Sequence, residues 1–143
     1  MIDYELFCKM KLAIETKYKN GRQLFSELSN KTYPGGIKQW DGYGVRIISS
    51  SFTVAVVCEY DENSPNDGVY VGVKVLDGIP TCGQNLSTYL QRKYGINQCK
   101  YQFGANNRCF YWPCWKTITG VQQGIGLFDD LLKDCDAYLQ SVI

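Results

Sequence analysis

Histidine is absent from this 143-residue chain. That removes the commonest general base and every nucleophile activated by an imidazole, and it leaves no nitrogen ligand for a mixed zinc site. Short-spaced cysteine pairs are missing too: the seven cysteines stand at 8, 58, 82, 99, 109, 114 and 135, with no Cys-x-x-Cys. The count is odd and some thiols sit in apolar runs such as Val54-Ala55-Val56-Val57-Cys58, so free buried cysteines are expected rather than a metal centre or a disulfide framework. No glycine motif for a phosphate loop or a dinucleotide occurs; glycines 120, 124 and 126 have the wrong spacing and lack the lysine. No cofactor is expected. The longest nearly apolar run, Phe52 to Cys58, is too short to span a bilayer. The opening Met1-Ile2-Asp3-Tyr4-Glu5 has an acid where a signal peptide needs a basic region. A soluble, cytoplasmic protein with no membrane partner is the expectation.

The most informative absence is of carboxylates: none occurs between Asp77 and Asp129. That stretch holds Arg92, Lys93, Lys100, Arg108 and Lys116 among Tyr89, Tyr94, Tyr101, Phe103, Phe110, Tyr111, Trp112 and Trp115. The net charge of the chain is only +1, so the asymmetry is internal: residues 78–128 carry +5, residues 59–77 carry −4 (five acids and Lys74), and residues 129–143 carry −3 (four acids and Lys133). A cationic, aromatic segment suits an anionic or planar partner. The near-neutral total speaks against a general coat for duplex DNA.

One domain spanning 1–143 is expected at this length and 45% apolar composition. The first 28 residues read as helix, on the stripe Phe7, Met10, Ile14, Tyr18 and the continuation Leu24, Phe25, Leu28 beyond a break at Asn20-Gly21. Residues 29–41, with Pro34-Gly35-Gly36, read as a loop. Tyr43 to Ile48, Phe52 to Tyr60 and Val69 to Leu76 read as antiparallel strands, the last with Val69, Val71, Val73 and Val75 on one face and Tyr70, Gly72 and Lys74 on the other. Asn85 reads as the cap of a short helix carrying Leu86, Tyr89, Leu90 and Tyr94, followed by a hairpin of 98–103 with 109–112. Pro113 is expected to end that strand, since it cannot donate to a ladder. A long terminal helix follows from Leu127, Phe128, Leu131, Leu132, Cys135, Tyr138, Leu139 and Val142, with Asp129 and Asp130 near its positive end. The resulting order α-β-β-β-α-β-β-α predicts an α+β fold, a mainly antiparallel sheet of about five strands with helices on one face.

Two sets of residues could carry function. Arg92, Lys93, Lys100, Arg108, Tyr111, Trp115 and Lys116 form the candidate binding surface, where an aromatic ring flanked by cations could stack on a base or anchor in a partner protein. Glu59, Asp61, Glu62 and Asp67, with Lys74 nearby, are the densest acids, and a metal-dependent phosphodiester or nucleotide enzyme would use Glu59 or Asp61. They fall at a strand end and in a turn-rich loop, where acids are ordinarily solvated. Convergence of Glu59, Asp61, Glu62 and Lys74 in a cleft would favour the enzyme; a solvated loop favours a binder.

Residues from about 42 to 143, with Val54-Ala55-Val56-Val57-Cys58-Glu59-Tyr60, Val69-Tyr70-Val71-Gly72-Val73-Lys74-Val75 and Tyr111-Trp112-Pro113-Cys114-Trp115-Lys116 ahead of a long helix, resemble the accessory module that follows the nuclease core in some bacterial PD-(D/E)XK nuclease-family proteins. That family's catalytic Pro-Asp and strand-borne Asp/Glu-x-Lys have no counterpart here, so the resemblance implies a recognition module without nuclease chemistry. In size and format the chain is also similar to small phage-encoded anti-defence inhibitors of the anti-CRISPR type, which act by binding in the host cytoplasm. The expected function is therefore a non-catalytic binding or inhibitory protein. Its partner is a nucleic-acid-handling protein such as a nuclease complex, a nucleic acid or a nucleotide. A small enzyme or a structural subunit of an assembly is the alternative.

The cysteine pattern carries the first prediction. Titration under denaturing, non-reducing conditions should find all seven thiols free and elemental analysis no zinc; one equivalent of zinc, or fewer than about six free thiols, would show the pattern misread.

Overall fold

The computed structural model describes residues 2–33, 36–49, 52–61, 68–78, 80–94, 102–103 and 109–141. In chain order these form α1 (Ile2–Tyr18), β1 (Gln23–Tyr33), β2 (Gly36–Ile48), β3 (Phe52–Asp61), β4 (Val69–Gly78), α2 (Pro80–Tyr94), β5 (Gln102–Phe103), β6 (Cys109–Ile118) and α3 (Val121–Ser141). Every strand pairing is antiparallel, in the spatial order β1-β2-β3-β4-β6-β5. The α+β architecture is the expected one: five long strands and the two-residue β5, with three helices. The expected element order recurs with one strand added, β1.

That strand is the main correction. Leu24, Phe25 and Leu28 do not continue a helix; α1 stops at Tyr18, and residues 23–33 pair with 36–46 in unbroken register. The expected loop 29–41 is therefore mostly ladder, and Tyr33 faces Gly36 across residues 34 and 35, which lie outside the described residues. Spacing misled here because an apolar pair plus a third residue four positions on fits a helix stripe.

The core lies between the sheet and the helices. From the sheet come Tyr43 and Val45, then Val54, Val56, Cys58 and Tyr60, then Val69, Val71, Val73 and Val75, and Ile118; from the helices come Phe7, Met10 and Ile14, Leu86 and Leu90, and Phe128, Leu131, Leu132, Cys135 and Leu139. The four alternate valines of β4 are all on this side, as their spacing requires. Burial pushes the Cys58 thiol well above the ordinary range, with Glu59 adding to the effect, so this sulfur is an inert core group.

α3 begins six residues earlier than its leucine pattern suggests, at Val121 rather than Leu127, so Asp129 and Asp130 are two turns inside the helix rather than at its positive end. Two features extend it. The Gln123 side chain reaches back to accept from Thr119 N and Oγ1, each at 2.8 Å, which satisfies a donor at the helix start. Gly124 is where α3 meets α1 and β6: a Cβ there would stand 2.6 Å from Ile118 Cδ1 and 2.7 Å from Met10 Sδ. Asn85 likewise lies inside α2, which starts at Pro80, a residue suited to a first helical turn. Pro113 does not end β6 either; the strand runs to Ile118 with a register shift, Val73 facing Cys114 and Val75 facing Tyr111, and a bulge is where a sheet tolerates proline.

Ion pairs fix the helices to one another. Asp129 of α3 takes Lys17 and Tyr18 from the end of α1, Asp136 takes both terminal guanidinium nitrogens, Nη1 and Nη2, of Arg22, and Asp134 takes Lys93 and Tyr94 from the end of α2. The acidic terminal block thus meets cations at the ends of two other helices.

Replacing Phe128, fully buried at the centre of this core, should cost about 3–5 kcal/mol as Phe128→Ala in a urea unfolding experiment, whereas Leu12→Ala, 66% exposed on α1, should stay within about 0.5 kcal/mol.

Candidate functional site

Two surfaces carry chemistry, one on each side of the sheet. On the side that no described helix covers, strand alternation places Phe25 and Glu27 of β1, Ala55, Val57 and Glu59 of β3, Tyr70, Gly72, Lys74 and Leu76 of β4, and Trp115 of β6. Phe25, Ala55 and Val57 form a second small core with Leu76 packed against it. Ala55, Val57 and Glu59 have no exposure at all, although no described helix covers them.

Curvature explains this burial. Lys74 Nζ lies 3.0 and 3.1 Å from the two oxygens of Glu27 and 3.8 Å from Glu59 Oε1. β4 and β1 are separated by two strands, which in a flat sheet would hold their backbones about 14 Å apart, beyond the reach of these side chains. The sheet therefore curls with this face inward. Glycines make room inside the curl: Gly42 sits where a Cβ would lie 3.3 Å from Glu59 Cγ, and at Gly44 a Cβ would be 1.9 Å from the Val56 carbonyl oxygen. Gly42 faces both Glu27 and Glu59 in register, so the two acids flank a position with no side chain. At the rim, the Arg46 guanidinium lies 5.3 Å from the centre of the Phe25 ring, and Tyr70 and Trp115 pack with ring centres 5.8 Å apart.

Glu59 is thus not the solvated strand-end acid that its sequence position suggested; it is buried beside Lys74. The convergence expected of an enzyme is met in part, by Glu59 and Lys74, with Glu27 as a partner that the sequence did not single out because it fell in a segment read as helix. Asp61 is the last residue of β3, and its side chain lies outside the described residues, as do Glu62 and Asp67. Among the described residues no group of three or more His, Cys, Asp or Glu could hold a metal ion.

On the helix side, α2 packs chiefly against β6 and presents a polar stripe to solvent. Asn85, Thr88, Tyr89, Arg92 and Lys93 line a shallow depression of about 410 Å³. Their spacing is that of one helix face. α2 contains no acid, and Arg92 and Lys93 stand in its last turn, where cations are favoured by the helix dipole. Tyr89 stacks on Tyr138 of α3 at 5.2 Å between ring centres, which holds the aromatic part of the stripe in place. Lys93 is committed to Asp134 at 2.8 Å and half exposed; its ammonium is pushed above its ordinary value by that hydrogen bond. Burial raises the Asp134 carboxyl, but the bonds from Lys93 and Tyr94 outweigh it and hold the group below the usual carboxylate range. Arg92 is exposed and has no ion-pair partner among the described residues.

The expected binding surface is therefore divided. Arg92 and Lys93 share the α2 stripe. Lys116 is exposed on β6 opposite Val71, on the helix side, whereas its neighbour Trp115 faces Gly72 on the other side. Tyr111 lies in β6 opposite Val75, and Lys100 and Arg108 lie outside the described residues. Asn85, Thr88 and Tyr89 were not singled out for binding by sequence; a search for polar residues at helical spacing around Arg92 would have found them.

Family models, curated proteins and solved structures provide no match to this chain. No described helix is long and apolar enough to cross a membrane.

The burial of Glu59 beside Lys74 generates a prediction. Lys74→Met should destabilise the fold by about 3 kcal/mol, because a fully buried carboxylate loses a nearby cation, while Glu27→Gln, a quarter exposed, should cost less than about 1 kcal/mol. Urea unfolding of both variants at neutral pH checks the ordering.

Proposed function

We propose that this protein is a non-catalytic binding protein that engages an anionic surface, on a nucleic-acid-handling protein or a nucleic acid, through the stripe of α2. The observation that carries this reading is the exposed Arg92 among Asn85, Thr88, Tyr89 and Lys93 on a helix with no acid of its own. Hydroxyl, amide and guanidinium donors on one helix face suit carboxylates or phosphates, and the aromatic ring gives the contact an apolar body. Lys116, exposed on the strand that α2 covers, adds positive charge on the same side of the sheet. The resemblance of residues 42–143 to a nuclease accessory module, and of the chain's format to anti-defence inhibitors, is what turns an anionic partner into a nucleic-acid-handling one. A cytoplasmic setting belongs to the same reading.

The alternative, a metal-dependent enzyme acting on phosphodiesters at Glu59, takes its support from the approach of Lys74 to Glu59. Against it stands the absence of any exposure at Glu59. A carboxylate sealed beneath its neighbours cannot meet a substrate or a hydrated metal ion.

One experiment addresses both readings. The protein is used to capture partners from bacterial lysate, and the recovered partner is titrated against two charge-reversed triple variants, one at Arg92, Arg108 and Lys116, the other at Lys9, Lys11 and Lys19. The first should weaken binding by at least about tenfold and the second little, with wild-type affinity falling as salt rises. Binding unaffected by the first variant but lost in the second would move the surface to α1. Cleavage of single-stranded DNA in the same buffer with Mg²⁺, abolished by Glu59→Gln, would instead support the enzyme.

A further inference from the structure

The two edges of the sheet are managed differently. β5 is two residues long, which is one ordinary way to blunt an edge. β1 is eleven residues long, contains no proline, and runs in register with β2 from Gln23 to Tyr33 without a bulge. No described strand pairs with its outer side. An edge of this length, with every second residue directing its backbone N–H and C=O outward, is a template for another strand unless something prevents it.

We propose that β1 is a self-pairing edge, along which a second copy of this chain docks antiparallel about a two-fold axis at Ser29, giving one continuous sheet across both copies. The register follows from symmetry and charge. Facing residues of an antiparallel ladder share one face of the sheet, so the axis must pass at a residue and not between two. An axis at Glu27 would set Glu27 against itself, and one at Lys31 would set Lys31 against itself. An axis at Leu28 would put Phe25 opposite Lys31 and leave Glu27 opposite Ser29, and one at Asn30 would put Glu27 opposite Tyr33 and Lys31 opposite Ser29, so neither pairs the two charged residues of the strand. With the axis at Ser29, Glu27 stands opposite Lys31, Phe25 opposite Tyr33 and Ser26 opposite Thr32, each twice by symmetry. Opposite charges, aromatic pairs and hydroxyl pairs are the cross-strand combinations that stabilise a ladder, and like charges directly opposite are those that oppose it.

A lysine on an edge disfavours promiscuous pairing, but at this register position 31 stands opposite the one acid of the strand. Glu27 can serve both partners: its carboxylate accepts from Lys74 within the chain, is about a quarter exposed, and has acceptor capacity for a second cation. This interface lies at the far edge of the sheet from β6, over which the α2 stripe is packed, so it stands or falls independently of the partner proposed above.

The test is the association state of the full chain, by light scattering and sedimentation across about 1 to 100 μM, a range that brackets micromolar self-association. A dimer is expected, with its Kd raised at least about tenfold in Lys31→Glu, where two facing pairs become like-charged. Circular dichroism and urea unfolding of that variant establish that its monomer is intact. Ser29→Cys should give a disulfide-linked dimer under mild oxidation, above the wild-type background, while Asn20→Cys, on the turn before β1, should not. If Lys31→Glu fails to fold, the Ser29 cross-link decides alone. A monomer at every concentration overturns the proposal, as does a dimer that Lys31→Glu leaves unchanged and Ser29→Cys does not trap.

Discussion

The contact on which the rest depends is that of α3 with the valine face of the sheet. Phe128, Leu131, Leu132, Cys135 and Leu139 lie against a surface supplied by Val54, Val56, Val71, Val73 and Val75 and their neighbours. None of these groups is polar, so the attraction is non-directional, and orientation has to come from elsewhere. Shape supplies part of it: Gly124 lets α3 approach Met10 and Ile118 more closely than any side chain would allow. Charge supplies the remainder. Asp129, Asp134 and Asp136 bind the ends of α1 and α2 and the start of β1, which fixes the rotation of α3 about its axis as well as its position.

The same pairing changes the meaning of the charge blocks. A basic segment of +5 and an acidic tail of −3 look like two surfaces with opposite tastes. In the fold they touch, and Lys93 is taken up by Asp134. What α2 offers a partner is therefore carried by Arg92 and its polar neighbours rather than by the whole segment. A cation held against an internal carboxylate contributes to steering through its field, but gives up part of its hydrogen bonding to the chain itself.

The other side of the sheet shows how a strand face can be buried without a helix on it. Glycines at 42, 44 and 72 thin the floor, the sheet curls over them, and Lys74 spans the curl from β4 to β1. Such a network fixes the relative placement of three strands, and its value lies in specifying this curvature more than in net stability, since desolvating charges offsets much of their attraction. It also leaves β1 at the outer edge with its register set from within.

The sequence by itself determined the class of the fold and one of its faces. The alternate valines of β4, Val54, Val56 and Cys58 of β3, the leucine period of α3 and the stripe Phe7, Met10, Ile14 each correspond to burial on the helix side, because a period of two or of 3.6 is a property of local backbone geometry that side-chain chemistry reveals directly. The absence of histidine is likewise a property of the sequence alone, since no tertiary structure can supply a missing residue type. Tertiary structure alone decided the rest. Residues 23–33 are a strand because β2 is beside them, a pairing whose partners are up to 23 positions apart and leave no periodic trace in a short polar segment. Glu59 is a buried ion-pair group because a lysine 15 residues later and an acid on another strand fold over it. Lys93 and Asp134, 41 positions apart, cancel locally because two helix ends meet. Local spacing reports which side of an element is apolar; which charged groups face one another is fixed only when distant segments are brought within a few ångströms, where Coulomb energies become large enough to choose.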